Sequence, residues 1–230
     1  MKKIRLHYLL FLIPTLVFIF VACKKKEATT IKMHYNYYGL LPGKYIIYDV
    51  KEMYHDDTSD IHDTTIYQLK THIGSDYIDN QGRTAKEFKR FKRNSTSEPW
   101  ILSDVWTTII DEYKAELVEE NQRIVKLVFS TSSDKIWNPN MFNMNEPLEY
   151  NYTNLHKPFS TNNITFDSTL TVDQGSFTSM IDSQRMYEVY ATNIGLVSKV
   201  YKKLVIANFD STNVKKGSEI YYNFVSHGFE

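Results

Sequence analysis

Apolar and polar residues alternate through most of the chain after residue 43, and this alternation predicts β-strands. Ile46, Tyr48 and Val50 fall on one face of the first alternating stretch, while Asp49 and Lys51 fall on the other. A period of two is that of a half-buried strand. Short polar turns separate the early stretches, and short connections favour antiparallel pairing of neighbouring strands over crossover connections.

The repeated pattern predicts a single all-β domain over residues 41–230. We expect an antiparallel meander of about ten strands with only short helical turns. A sheet of that size usually curls, and closure removes its exposed edges, so a curved sheet, a half-barrel or a lipocalin-like barrel is expected. Two segments depart from the alternation. Residues 131–163, rich in Asn and Pro, are predicted to form a long ordered loop, and residues 175–184 are the best place for a short helix.

The N-terminal pattern predicts an exported protein. Lys2, Lys3 and Arg5 precede an apolar run over residues 9–22. This run is shorter than the roughly 20 residues that a membrane-spanning helix needs. A basic start, a short apolar core and a small residue before the break are typical of a secretory signal peptide, here residues 1–22. An uncleaved anchor helix is the alternative interpretation.

The end of this segment carries the only cysteine of the chain. Phe20-Val21-Ala22-Cys23 resembles the lipobox of bacterial lipoproteins, in which the cysteine becomes the lipid-modified N-terminus. The resemblance implies that Cys23 carries several acyl chains, palmitate among them, which together give stable anchoring. Lys24 follows, rather than the Asp often associated with inner-membrane retention. We therefore expect a periplasm-facing lipid anchor in the outer membrane, with a tether over residues 23–40.

A late segment carries a second resemblance. The run YEVYATNIGLVSKVYKKL, residues 187–204, is similar to a two-strand segment of exported β-domain lipoproteins of Gram-negative bacteria, with the pattern Tyr-Ala-x-x-Ile-Gly-Leu-Val-x-Lys. The resemblance implies fold and not activity. Asn193 stands where a glycine is often seen, and we expect it to take the left-handed conformation that Asn tolerates.

Net charge bears on partners. Cleavage after residue 22 removes three basic and no acidic residues from a chain that has 27 of each, so the mature chain carries a net charge of −3. A mildly acidic body argues against a nucleic-acid partner. The sequence shows no cofactor motif, and one cysteine cannot form an internal disulfide.

One basic stretch is a candidate binding strip within the acidic body. Cations that interleave with aromatic residues suit an acidic partner protein or a lipid headgroup. The alternative interpretation is an exposed sheet face on which the long stems of the cations cover apolar surface. The strip comprises Lys86, Phe88, Lys89, Arg90, Phe91, Lys92 and Arg93.

A polar turn offers weak metal ligands. His55, Asp57 and His62 carry groups that suit divalent ions. Their spacing matches neither a calcium loop nor a zinc helix motif, and Asp and Ser are common in hairpin turns. A solvated turn is the preferred interpretation, and no metal is expected.

Three short segments resemble an O-glycosylation acceptor of exported proteins in some Gram-negative bacteria. The pattern is Asp followed by Ser or Thr and one further residue, and the candidate acceptors are Thr64, Ser168 and Ser211. Chance matches are expected in a chain this rich in Asp, Ser and Thr.

Three functions follow from these features. The first is a non-enzymatic outer-membrane lipoprotein that serves as an accessory subunit of an envelope protein complex. The second is a periplasmic carrier of a lipid or other hydrophobic ligand in a barrel-like cavity. A hydrolase is the third. A carrier requires an interior cavity, a scaffold requires a filled core with an external patch, and an enzyme requires a cleft with converging titratable groups.

Overall fold

The computed structural model describes residues 31–230, and residues 33–230 form one compact unit. This part of the chain folds as a single twelve-stranded antiparallel sheet. Two 3₁₀ turns, Tyr35–Tyr37 and Asp57–Ser59, are the helical elements of the described residues. The strands are β1 (Lys44–Asp56), β2 (Ile61–Ile78), β3 (Thr84–Arg93), β4 (Ile101–Ile110), β5 (Lys114–Glu119), β6 (Gln122–Val128), β7 (Ile136–Trp137), β8 (Tyr150–Thr161), β9 (Ile164–Thr178), β10 (Asp182–Ala191), β11 (Gly195–Ala207) and β12 (Asp210–Phe229).

The sheet is a meander of two halves, which are joined where the first strand, β1, pairs with the last strand, β12. Its order is β6-β5-β4-β3-β2-β1-β12-β11-β10-β9-β8-β7, so most strands pair with their neighbours in sequence. The exception is the pair β1–β12, which runs from Lys44 opposite Phe229 to Asp56 opposite Lys216, with a shift of register between Ile47 and Tyr48. The predicted all-β antiparallel meander is therefore confirmed, with twelve strands in place of about ten.

The two edges of the sheet approach each other and make the sheet barrel-like. The backbone N–H of Val125 in β6 donates to the carbonyl of Pro139, just after β7, over 3.0 Å. The indole N–H of Trp137 donates to the carbonyl of Val125 over 3.1 Å. The Tyr152 hydroxyl of β8 bonds both the N–H and the carbonyl of Val128 at 2.8 Å. These bonds occupy edge groups that would otherwise be open to pairing with another chain.

The turn between β10 and β11 fixes the N-terminal segment of the domain. Asn193 has φ 62°, which confirms its predicted left-handed conformation. Its N–H donates to the carbonyl of Asn36 over 2.8 Å. Gly39 lies so close that an added Cβ would stand 2.5 Å from the Ile194 carbonyl oxygen. Tyr37 is only 1% exposed, so residues 33–40 belong to the folded domain and the expected tether boundary at residue 40 is wrong.

Two predictions about irregular segments are also wrong. More than a third of the expected 131–163 loop is strand, because β8 covers Tyr150–Thr161. Its alternation is hidden by a bulge in which Asn154 and His156 have positive φ and the register shifts between Thr153 and Lys157. The expected helix at 175–184 is the end of β9, a turn and the start of β10.

The core consists of two buried clusters. One packs β5 and β6 against β8, β9 and β10 around Leu127, Trp137 and Leu170. The other contains Tyr48, Leu69 and further residues of β1, β2 and β9 to β12. Within residues 31–230, no helix is both long and apolar enough to cross a membrane.

Candidate functional site

A cavity of about 100 Å³ lies on the concave side of the sheet. Residues of β1–β6 and β10–β12 line it, together with residues from the segment before β1. Its apolar part includes Leu69, Leu117 and Leu196, and its aromatic part includes Phe88 and Trp106. The site is therefore built by nine of the twelve strands and not by one loop.

Strand register explains why these side chains share one space. Residues directly opposite each other in an antiparallel pair point to the same face. Thr71 of β2 is opposite Arg90 of β3, and Phe88 of β3 is opposite Trp106 of β4. The Phe88 and Trp106 rings stack with centroids 6.3 Å apart and planes 9° apart. The same alternation that makes the strands thus fills one wall of the cavity with large aromatic groups.

Arg90 is held firmly in this wall. Its guanidinium lies 4.1 Å from the centre of the Trp106 ring, a cation–π geometry. It also forms a 3.0 Å ion pair with Asp104 and donates to the Tyr222 hydroxyl over 3.2 Å. Because Tyr222 belongs to β12, Arg90 connects two separated parts of the sheet.

Two buried charges of the cavity form an ion pair between β6 and β10. Lys126 Nζ lies 2.7 Å from Glu188 Oε1, and Glu188 is 1% exposed. The Tyr190 hydroxyl donates to the other carboxylate oxygen over 2.7 Å. Lys199 of β11 lies 3.8 Å from the same carboxylate. β6 and β10 are not adjacent in the sheet, so this pair joins facing walls.

The pKa values of the pair show that both groups are charged near neutral pH. Burial alone raises the pKa of Glu188, but the charges of Lys126 and Lys199 and hydrogen bonds from Lys126 and Tyr190 outweigh it and lower the pKa from 4.5 to about 2. Burial lowers the pKa of Lys126, but Glu188 and Glu119 outweigh it and raise the pKa above its ordinary value. Neither pKa lies near 7, where an acid–base catalyst works best, so the pair gives the hydrolase interpretation no support.

The structure divides the predicted basic strip between the two faces of β3. Phe88 and Arg90 line the cavity. Lys86 and Lys92 lie on the same face of β3 by alternation, and the Lys92 ammonium is 4.8 Å from the centre of the Tyr67 ring. Lys89, Phe91 and Arg93 take the opposite face. There Lys70 lies 5.1 Å from the centre of the Phe91 ring, and Arg93 lies 4.2 Å from that of Trp100. The seven residues therefore do not form one surface.

The weak metal candidates lie close together in the β1–β2 hairpin. His55 and His62 are directly opposite, with their Nδ1 atoms 3.2 Å apart. The other ring nitrogen of His55 lies 3.3 Å from Glu219, and Asp57 pairs with Lys215 at 2.8 Å. No cluster of three or more His, Cys, Asp or Glu side chains within residues 31–230 has a metal-binding arrangement.

The other predicted sites differ in accessibility. Thr64 and Ser211 are exposed. Ser168 is partly buried, and its hydroxyl lies 2.8 Å from that of the buried Tyr37, so a glycan there would have to displace packed side chains. Glycosylation at the three positions stays a prediction. Cys23 lies outside the described residues.

Sequence reasoning missed Lys126, Glu188 and Tyr190. Lys126 lies between the apolar residues Val125 and Leu127, which suggests a solvent-facing position. Both faces of β6 are in fact buried, with Val125 0% and Lys126 9% exposed. The available signal was an isolated lysine on one strand and an isolated glutamate on another, and a single sequence does not show that they meet.

Comparison with known proteins adds no assignment, because the chain matches no protein-family model, no curated protein and no solved structure.

Glu188→Gln should remove one component of acid unfolding. The folded-state pKa of Glu188 is about 2, below its ordinary 4.5, so its stabilising effect is complete above pH 4.5 and is lost as the pH falls through 2. This contribution is about 3 kcal/mol at neutral pH. At pH 7 the variant should lose about 3–5 kcal/mol of unfolding free energy, because Lys126 keeps a buried charge without its partner. Urea unfolding from pH 7 to pH 2 measures both effects.

The exposed Glu149→Gln is the matched control and should behave like the wild type. If Glu188→Gln does not fold, the pH dependence of urea unfolding is measured on the double variant Lys126→Met/Glu188→Gln. This variant removes both charges of the pair, so neither is left buried without its partner. Equal stability of wild type and Glu188→Gln at pH 7 would contradict the importance of the pair.

Proposed function

We propose that this protein is a non-enzymatic ligand-binding lipoprotein of the bacterial envelope, which holds a small amphipathic molecule inside its sheet. The observation that carries the proposal is the interior cavity, lined by apolar and aromatic side chains with charged groups at defined places. Concave, mostly apolar sites with a few positioned polar groups are typical of ligand binding.

The cavity size favours a small ligand over a whole lipid. Drug-sized ligands occupy pockets of roughly 300–1,000 Å³, whereas benzene enters a cavity of about 150 Å³. The cavity here is about 100 Å³. Because this cavity is smaller than the one that holds benzene, a single ring or a short chain is the largest body that it suits, and wall side chains would have to move outward to admit it. A lipid with two acyl chains would require the walls themselves to separate against the Lys126–Glu188 pair. The proposal therefore narrows the carrier function expected from the sequence.

The cellular address in this proposal depends on the sequence alone. The segment Phe20-Val21-Ala22-Cys23 supports lipidation at Cys23 and a periplasm-facing position in the outer membrane. In that position the domain would take up its ligand from the periplasm, close to the bilayer.

Trp106 should report a bound ligand directly, because it is the cavity tryptophan. Titration of the purified protein with 2-phenylethanol should shift the emission of the wild type with saturation. Trp106→Phe should abolish this shift. Trp100→Phe is the matched control and should keep it, because Trp100 stacks with Arg93 on the other face of the sheet.

Calorimetry on the same variants distinguishes loss of the reporter from loss of binding. Heat of binding should persist in Trp106→Phe, with at most a moderate loss of affinity. Absence of saturable binding to the wild type would contradict the carrier function. A shift that survives in Trp106→Phe would place the ligand elsewhere.

A second candidate function, the accessory subunit, is favoured by one exposed surface. Met180, Ile181, Val205 and Phe209 are 55%, 56%, 44% and 66% exposed, and we call them the apolar tip. Hydrogen bonds join the two turns that carry it, from Phe209 N–H to the Met180 carbonyl at 3.0 Å and from Ile206 N–H to the Ile181 carbonyl at 2.8 Å.

Clustered exposed apolar residues of this kind commonly mark an interaction surface. The exposed Lys203 lies on the same strand as Val205, and Lys216 is opposite Val205. Asp182 of β10 is opposite Val205 on its other side, so the rim of the apolar tip carries both signs of charge. It fits an envelope protein whose apolar contact surface has both acidic and basic residues at its rim.

The double variant Met180→Ser/Phe209→Ser should lose that partner. Native protein would be purified in mild detergent and the stoichiometric partner quantified by mass spectrometry. Ile66→Ser is the control, because Ile66 is equally exposed on β2. Recovery of the same partner with the tip variant would exclude this surface, and absence of any stoichiometric partner would exclude the accessory function.

Cys23→Ser should detach the protein from the membrane, since a serine cannot accept the thioether-linked lipid. In cell fractionation and detergent phase separation, the wild type should enter the membrane fraction and the detergent phase. Its mass should be that of a lipidated chain that begins at residue 23. A wild-type chain that still begins at Met1, or one that remains in the aqueous phase, would contradict the anchor.

A further inference from the structure

One buried lysine in the cavity has no carboxylate partner among the described residues. Lys44 is the first residue of β1, is 2% exposed and lines the cavity. Its ammonium donates a hydrogen bond to the backbone carbonyl of Asn193. No acidic side chain of residues 31–230 lies within ion-pair distance of it.

The other cations of the cavity differ from Lys44 in this respect. Arg90 pairs with Asp104 at 3.0 Å and Lys126 pairs with Glu188 at 2.7 Å. Lys199 lies 3.8 Å from the same glutamate. Each of these three cations therefore lies within 4 Å of a protein carboxylate, although Lys126 and Lys199 share one. Lys44 differs from them because no carboxylate of the described residues lies that close to it.

A buried ammonium without a counter-charge is costly. Removal of such a group from water costs several kcal/mol even after relaxation, and one neutral hydrogen bond offsets only a part. Burial accordingly lowers the pKa of Lys44. The bond to Asn193 ties β1 to the β10–β11 turn, but any N–H donor would serve for that. A structural role in this bond therefore does not explain why the residue at position 44 carries a positive charge.

We propose that Lys44 binds the acidic group of the ligand, and that the ligand class is small carboxylic acids with an aromatic or short apolar body. The carboxylate pairs with the Lys44 ammonium, while the body lies among the apolar and aromatic side chains that include Phe88 and Trp106. An ion pair of this kind, formed away from bulk water, adds a charge-assisted hydrogen bond. This inference rests on the proposed ligand-binding function and names its substrate class.

Three probes with the same ring test the class of head group. Phenylacetate carries an anion, 2-phenylethanol is neutral and phenethylamine carries a cation. Titration calorimetry at pH 7 would measure all three on the wild type, Lys44→Met, Lys44→Gln and Lys51→Met. Met matches the length of the lysine stem, Gln keeps an N–H donor for Asn193, and Lys51→Met is the matched control because Lys51 is exposed on the same strand.

The wild type and Lys51→Met should bind phenylacetate about tenfold or more tightly than phenethylamine. In Lys44→Met and Lys44→Gln this preference should disappear, while the affinity for 2-phenylethanol stays within about twofold of the wild type. Replacement of a buried charge by an apolar residue of similar size is often neutral or stabilising, so Lys44→Met should fold, and its urea unfolding curve verifies this.

Two outcomes separate the inference from the function on which it rests. If the wild type binds the acid and the amine equally, or if both Lys44 variants keep the preference, Lys44 does not select the ligand and the ligand-binding function still stands. If none of the three probes binds at millimolar concentration, the ligand-binding function itself fails for this class of molecule, and the inference fails with it.

Discussion

The ion pair between Lys126 and Glu188 is the contact on which the interior of this protein depends. The two residues lie on facing walls of the sheet, 2.7 Å apart, and the Tyr190 hydroxyl and Lys199 complete the surroundings of the carboxylate. An ion pair in a buried site is favourable only when its geometry is good and its remaining hydrogen-bonding groups are satisfied. Both conditions hold here, since no side-chain nitrogen or oxygen buried within the described residues lacks a hydrogen-bond partner. The pair therefore fixes the distance between the walls.

In the proposed ligand-binding function, this distance limits the size of the ligand. On the β6 side of the pair, Leu127, Trp137 and Leu170 fill the space between the walls. On the other side the aromatic wall of Phe88 and Trp106 borders a space that side chains do not fill. In the proposed function, a cavity of this size selects by shape for a small molecule, and the buried Lys44 selects by charge. The lipid anchor inferred at Cys23 would determine where the protein is located, and it would not affect which ligand the cavity selects.

The sequence predicted those parts of the fold in which one residue and its nearest neighbours determine the structure. The alternation of Ile46, Tyr48 and Val50 identified β1, and Asn193 adopts the left-handed conformation expected from its side chain. Prediction failed where a distant contact decides. β8 was missed because its bulge interrupts the alternation, and Tyr37 was assigned to a tether although the β10–β11 turn and β8 bury it. The candidate site belongs to this second group, since Lys126 and Glu188 are 62 residues apart and meet only when the sheet curves.

The function proposed here is decided most directly by a crystal structure of the protein with phenylacetate. We expect the ring to lie beside Trp106 inside the sheet, with its carboxylate within hydrogen-bond distance of Lys44 and the Lys126–Glu188 pair intact. Phenylacetate bound only on the outer face of the sheet, or an interior that side chains fill completely, would contradict the ligand-binding function.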